Sequence, residues 1–112
     1  MHSSEIVDDV LVVHVNETRA TLAHSKEFKE YTQRLPDGDV KNILIDLSKC
    51  EYIDSTYMGA VVELYKKTEK AGGIMKIVCH DKVAYLICVV NRLNTFIEVF
   101  EKVDEAVKSF KK

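Results

Sequence analysis

The amino-acid sequence predicts a single α/β domain over residues 1–112, with a mixed sheet of four to five strands and about four helices. Apolar runs rich in β-branched residues alternate with amphipathic helical segments, the order typical of a parallel or mixed sheet layered with helices. A chain of 112 residues fits one domain, and no repeat, low-complexity tract or linker divides it. Its composition, 46% hydrophobic and 30% charged, is that of an ordinary globular domain.

Strands are predicted wherever a short apolar run lies between polar or turn residues. The run Asn42–Leu47 is apolar nearly throughout, as expected for a strand covered by helices on both faces. The predicted strands are Glu5–Val7, Val10–Val15, Asn42–Leu47, Ile74–Cys79 and Phe96–Phe100.

Helices are predicted where apolar residues recur at three- and four-residue spacing. Thr21 and Asp81 are placed to cap two of them. The turn Pro36–Asp39 ends the first helix, and Gly72–Gly73 ends the second. The predicted helices are about Leu22–Leu35, Thr56–Ala71, a segment from Asp81 through Val90, and Val103–Phe110.

Charge and composition exclude several classes of protein. A formal net charge of −2 without a basic cluster argues against a nucleic-acid partner. Cys50, Cys79 and Cys88 form neither a disulfide framework nor a zinc-binding pattern. The polar stretch Met1–Asp9 does not resemble a secretion signal, and the longest apolar run, Val83–Val90, is too short to cross a membrane. We therefore expect a cytoplasmic domain with no membrane association.

The segment most informative about function is Ile53-Asp54-Ser55-Thr56, which follows a buried strand and opens a predicted helix. It places a hydroxyl group at a helix N-terminus, where the first backbone N–H groups lack partners and the helix dipole favours negative charge. Such a position suits a helix cap, and it equally suits a phosphate group. The three residues Asp-Ser-Thr alone leave both interpretations open.

The longer motif decides between them. Ile53-Asp54-Ser55-Thr56, followed by Met58-Gly59, resembles the Asp-Ser-[Ser/Thr]-Gly-Leu-Gly motif of STAS-domain anti-sigma factor antagonists. The resemblance extends from about Val40 to the C-terminus and is weak before Asn16. It implies the STAS fold, with Ser55 as the phosphorylated residue. It also implies that Asp54, Ser55, Thr56, Tyr57 and Met58 contact the partner.

Two departures from the family pattern affect the expected partner. Tyr57 stands where the family usually has glycine, and Asn16–Ala20 stands where it usually has Gly-Glu-[Leu/Ile]-Asp, a turn near the switch serine. Because family glycines often mark close approach of a partner, Tyr57 is expected to face the partner and to restrict the chain to its own kinase. The alternative is that the Tyr57 ring packs along its own helix against Val61.

No catalytic or metal site is predicted. The chain has no glycine-rich phosphate loop and no Gly-x-Ser-x-Gly nucleophile motif. His14, His24 and His80 lack the spacing of metal ligands. Asp46 lies at a strand end without the acidic cluster of a receiver domain, and Cys50 has no basic neighbours that would activate it. We expect no enzymatic activity and no cofactor.

The resemblance implies a partner-switching mechanism. The partner would be an anti-sigma factor that is also a serine kinase of the GHKL type and supplies ATP and Mg²⁺, with a PP2C-type phosphatase to reverse the reaction. Unphosphorylated, the domain would bind this kinase, and phosphorylation of Ser55 would release it. Two alternatives remain: an accessory subunit of a transport complex that is not switched, and a small-ligand or nucleotide binder.

Overall fold

The computed structural model describes residues 1–34, 41–79, 82 and 97–111. Within these residues a five-stranded sheet and a separate two-stranded sheet combine with three helices. The strands are β1 (His2–Val7), β2 (Val10–Val15), β3 (Arg19–Ala20), β4 (Asn42–Asp46), β5 (Tyr52–Ile53), β6 (Ile74–Val78) and β7 (Val99–Phe100). The helices are α1 (Leu22–Gln33), α2 (Ser55–Lys70) and α3 (Val103–Ser109).

The main sheet has the strand order β1-β2-β4-β6-β7. Strands β1 and β2 form an antiparallel hairpin, and the remaining pairs are parallel, so the sheet is mixed as predicted. Asp8 and Asp9 connect the hairpin with φ values of 50° and 66°, the positive values that a two-residue turn of type I′ requires. Strand β1 is therefore an edge strand, with one side free of sheet partners among the described residues.

The sheet is covered on both faces. Odd-numbered residues of β2, such as Leu11 and Val13, pack with Ile45 against α1 and α2 in the larger core cluster. Even-numbered residues, such as Val10 and Val12, pack against α3 in the smaller cluster. The period of two along each strand assigns neighbouring side chains to opposite faces.

Most predicted elements are confirmed, with small shifts of their ends. The first strand is longer than the predicted Glu5–Val7, and the last strand is shorter than Phe96–Phe100. The helix end at Gly72–Gly73 is confirmed: Gly72 has φ +84°, and a Cβ on Gly73 would lie 2.3 Å from the Lys41 carbonyl oxygen. The predicted turn Pro36–Asp39, residue Leu35 and the helix from Asp81 fall outside the described residues, except for residue 82.

The small β3–β5 sheet was not predicted. Strand β3 pairs parallel with β5, with Arg19 opposite Tyr52 and Ala20 opposite Ile53. Two-residue strands are too short to show any periodicity, so sequence patterning cannot reveal them. This pairing brings the start of α1 beside the start of α2, and it is the feature of the fold that builds the candidate site.

Candidate functional site at the start of helix α2

Ser55 is the first residue of α2, and its side chain is exposed. Thr56 follows it and is also exposed, whereas Tyr57 and Met58 are buried. The helix therefore presents two hydroxyl groups to solvent at its N-terminus and directs the next two side chains into the core. At this end, the backbone N–H groups and the helix dipole favour an anion.

Asp54 is the N-cap of α2 and also binds the first residue of α1. Its Oδ1 accepts a hydrogen bond from the Tyr57 N–H at 2.8 Å, the bond expected of an N-cap. Its Oδ2 accepts a hydrogen bond from the Leu22 N–H at 2.7 Å. Its backbone N–H donates to the Ala20 carbonyl oxygen at 3.0 Å. One carboxylate thus holds the N-termini of two helices together, immediately before Ser55.

Thr21 does not cap α1 through its side chain. It occupies the N-cap position with extended φ and ψ angles, but its side chain makes no capping hydrogen bond. The predicted role of Thr21 is corrected in this respect: the side-chain hydrogen bond at the start of α1 comes from Asp54, whose carboxylate accepts from the N–H of Leu22, the first residue of the helix. The cap of α1 is supplied by a residue 32 positions further along the chain.

The predictions for Tyr57 and Met58 require correction. The Tyr57 side chain is 0% exposed and Met58 is 3% exposed, so a partner cannot contact either side chain without a rearrangement of the core. Nor does the Tyr57 ring pack only along its own helix. Its centroid lies 5.1 Å from that of Phe28 on α1, and its hydroxyl lies 2.8 Å from Nε2 of His2 on β1.

The hydroxyl of Tyr57 belongs to a buried polar chain. His2 Nδ1 lies 3.1 Å from a Glu27 carboxylate oxygen, and the His2 side chain is fully buried. Burial lowers the pKa of His2, outweighing the opposite effect of Glu27, so the ring is neutral at pH 7. In the tautomer that satisfies both contacts, Nδ1–H donates to Glu27 and Nε2 accepts from the Tyr57 hydroxyl. This chain ties the first turn of α2 to α1 and β1.

Gly59 lies one helical turn after Ser55 and is exposed. A Cβ placed on Gly59 would meet no atom within 4 Å, and the backbone is not in the left-handed region. Glycine inside a helix costs roughly 0.5–1 kcal/mol relative to alanine. Nothing within the described residues requires glycine here, unlike at Gly72 and Gly73. Ser55, Thr56 and Gly59, which we call the switch face, therefore form a surface with little side-chain bulk.

Two exposed large side chains belong to the segments that lie beside Asp54, the residue before Ser55. Leu22, whose N–H binds Asp54, is 65% exposed, and Tyr52 on β5 is 38% exposed. The Arg19 guanidinium carbon lies 4.4 Å from the centroid of the Tyr52 ring, a cation–π contact across the β3–β5 pair. The segment Asn16–Ala20, which the resemblance placed near the switch serine, thus contributes Arg19 to this surface.

Within the described ranges, no group of three or more His, Cys, Asp or Glu side chains is arranged to hold a metal ion. The described helices also include none with the length and apolar character needed to cross a bilayer.

The fold and the sequence both match a known family. The STAS domain family model matches residues 3–106, which is most of the chain. The chain belongs to the STAS domain family. The prediction of this family from the Ser55 motif is therefore confirmed, together with the predicted fold class.

Relatives with similar sequences and structures are known. A Thermotoga maritima protein named as a candidate anti-sigma factor antagonist is 26% identical over 113 residues, covering 100% of this STAS domain and 99% of the relative. A crystal structure of a Thermotoga maritima protein described in the same terms has a TM-score of 0.85 at 25% identity, covering 99% and 95% of the two chains. The phosphorylated form of the Bacillus cell fate determinant SpoIIAA has a TM-score of 0.74, covering 99% and 100%; at 13% identity it shows the fold alone.

Proposed function

We propose that this STAS domain is an anti-sigma factor antagonist. In its unphosphorylated form it binds an anti-sigma factor that is also a serine kinase, and phosphorylation of Ser55 releases that partner. The observation that carries the proposal is the placement of the Ser55 hydroxyl: it is exposed at the first position of α2, beside an aspartate that fixes two helix N-termini. The names of the Thermotoga relatives support the same class of partner.

The surroundings of Ser55 favour a protein as the partner. The low bulk of the switch face allows the backbone of another chain to approach Ser55 closely. Leu22 supplies an exposed apolar anchor beside it, and Arg19 and Tyr52 are of the residue types enriched in interface hot spots. We propose that Asp54, Ser55 and Thr56 form the centre of the interface. Tyr57 and Met58 support it from within the core.

Phosphorylation would act on the interface rather than on the fold. A phosphate adds about −1.5 to −2 charges and three acceptor oxygens. At the first position of α2 the helix dipole accommodates this charge, so the domain stays folded. In a complex the dianion would be desolvated beside the Asp54 carboxylate, which is strongly unfavourable. A penalty of about 3–4 kcal/mol weakens binding by a factor of several hundred. A PP2C-type phosphatase would restore the binding form.

We expect Ser55, and not Thr56, to be the phosphorylated residue, because Ser55 directly follows the N-cap aspartate. With the cognate kinase and ATP, Ser55→Ala should take up no phosphate, whereas the matched variant Thr56→Ala should be phosphorylated like the wild type. Intact-mass measurement with peptide mapping tests this. Phosphate on Thr56 alone would contradict the assignment, and phosphate on neither residue would favour a STAS subunit that is not switched.

A further inference from the structure

One histidine remote in sequence from Ser55 joins two carboxylates across three strands. His14 on β2 places Nδ1 2.7 Å from Asp46 Oδ2 on β4 and Nε2 2.7 Å from Glu5 Oε2 on β1. A neutral imidazole carries one N–H, whereas the imidazolium carries two. Both nitrogens face acceptor-only groups, so only the protonated ring can donate to both carboxylates.

Among the described residues, other polar groups close to Asp46 in the chain or in charge interaction with it have partners of their own or are neutral. The second oxygen of Asp46 accepts a hydrogen bond from the Ser48 N–H at 3.0 Å. The nearby Lys49 ammonium donates to the Asn16 side-chain oxygen at 3.3 Å. Burial, with a contribution from Asp46, raises the pKa of the Cys50 thiol to about 11, so that neighbour is neutral at physiological pH. Among the described residues, Glu5 and Asp46 are the two groups that pair with the ring.

We propose that Glu5, His14 and Asp46 form a proton-dependent anchor for the edge strand β1. With His14 protonated, the imidazolium ties β1 through Glu5 to the interior strand β4. With His14 neutral, one carboxylate faces a nitrogen lone pair at hydrogen-bond distance and is released. An edge strand is the part of a sheet most dependent on such side-chain ties, because its backbone is paired on one side only.

The two halves of the anchor are unequal. Asp46 is 8% exposed and is held by the Ser48 N–H, whereas the Glu5 side chain is 59% exposed. Glu5 can exchange its hydrogen bond for water at little cost, and Asp46 cannot. On deprotonation, His14 therefore keeps its Nδ1–H on Asp46 and releases Glu5. The contact that is lost is therefore the one between Glu5 on β1 and His14 on β2.

The direction of the pH dependence follows from the same contacts. Partial burial lowers the pKa of His14, but the hydrogen bonds and charges of Glu5 and Asp46 outweigh it and raise the pKa above its ordinary value of 6.5. A group whose pKa is raised on folding stabilises the folded state at low pH. The stabilisation is complete below about pH 6.5 and is lost as the pH rises through the pKa of His14 in the folded protein.

NMR titration of the imidazole nitrogens on the intact chain tests the proposal without any partner protein. We expect a pKa above 6.5 for His14 in the wild type and a neutral form with the proton on Nδ1. Once the ring is neutral, the amides of β1 should be less protected from hydrogen exchange than they are when the ring is charged. Glu5→Gln should lower the pKa of His14. The matched control Glu63→Gln, which removes an exposed carboxylate paired with Lys29 on α1, should leave it unchanged.

Thermal melts give a second measurement. Between pH 6 and pH 9 the melting temperature of the wild type should fall further than that of His14→Gln, which has no proton to lose. The proposal is overturned by a pKa at or below 6.5 in the wild type, by an unchanged pKa in Glu5→Gln, or by a neutral ring protonated on Nε2. None of these outcomes bears on Ser55, so the proposed function would stand.

Discussion

Replacement of Tyr57 by glycine, the residue usual in the family, should destabilise this protein by about 4–6 kcal/mol. Removal of a fully buried aromatic ring costs about 3–5 kcal/mol, and glycine in a helix costs about 1 kcal/mol more. The ring fills the space between α1 and α2 and hydrogen-bonds the buried His2. Urea unfolding followed by circular dichroism measures the free energy of unfolding.

Two further variants separate the stability lost with the Tyr57 ring from the stability lost by placing glycine in a helix. Thr56→Gly, at the neighbouring exposed position, carries only the cost of glycine, roughly 0.5–1 kcal/mol. Tyr57→Phe keeps the ring but leaves Nε2 of His2 without its donor, which costs about 1–3 kcal/mol. If Tyr57→Gly were no more harmful than Thr56→Gly, the ring would not be part of the core. The role of Tyr57 in linking α2 to β1 would then be rejected.

Substitution of Asp54 by alanine should destabilise the domain by about 2–3 kcal/mol, more than the loss of one ordinary helix cap. Each N-cap hydrogen bond is worth about 0.5–2 kcal/mol, and the Asp54 carboxylate supplies one to Tyr57 and another to Leu22. Its negative charge adds a favourable interaction with the helix dipoles. The same urea titration measures the change.

The control for this variant is Thr21→Ala. Thr21 occupies the N-cap position of α1 but makes no side-chain capping bond, so its removal should cost less than about 0.5 kcal/mol. Asp54→Asn keeps one oxygen acceptor and should fall between the two. Equal losses for Asp54→Ala and Thr21→Ala would show that α1 is capped by its own residue, contrary to the bond between Asp54 and Leu22.

The sequence predicts what depends on local pattern. The apolar runs give the strands of the main sheet, and the motif around Ser55 gives both the start of α2 and the family. The sequence predicts that the stretch Asp54–Thr56 suits a helix cap, but only the structure identifies Asp54 as the capping residue. Its second hydrogen bond cannot be predicted either, because Leu22 reaches it only through the pairing of β3 with β5.

The position of Tyr57 in the fold could not be predicted from the sequence. The sequence shows that Tyr57 departs from the family pattern. Whether the Tyr57 side chain faces the core or the solvent, however, depends on which elements pack over α2. His2, which accepts the hydrogen bond from the Tyr57 hydroxyl, is 55 positions away in the sequence. It belongs to strand β1, which the hydrophobic pattern of the sequence predicts only in part. His14 is similar: its two carboxylate partners are assigned by strand register, and no spacing in the sequence indicates them.

We propose that the charge on Ser55 controls binding of an anti-sigma factor. The most direct test of this proposal is titration calorimetry of the unphosphorylated and the Ser55-phosphorylated domain against the cognate anti-sigma factor, with thermal melts to confirm that both forms are folded. The unphosphorylated form should bind, and the phosphorylated form should bind with an affinity several hundred times weaker. Equal affinities of two folded forms, or binding of the phosphorylated form alone, would contradict the proposal.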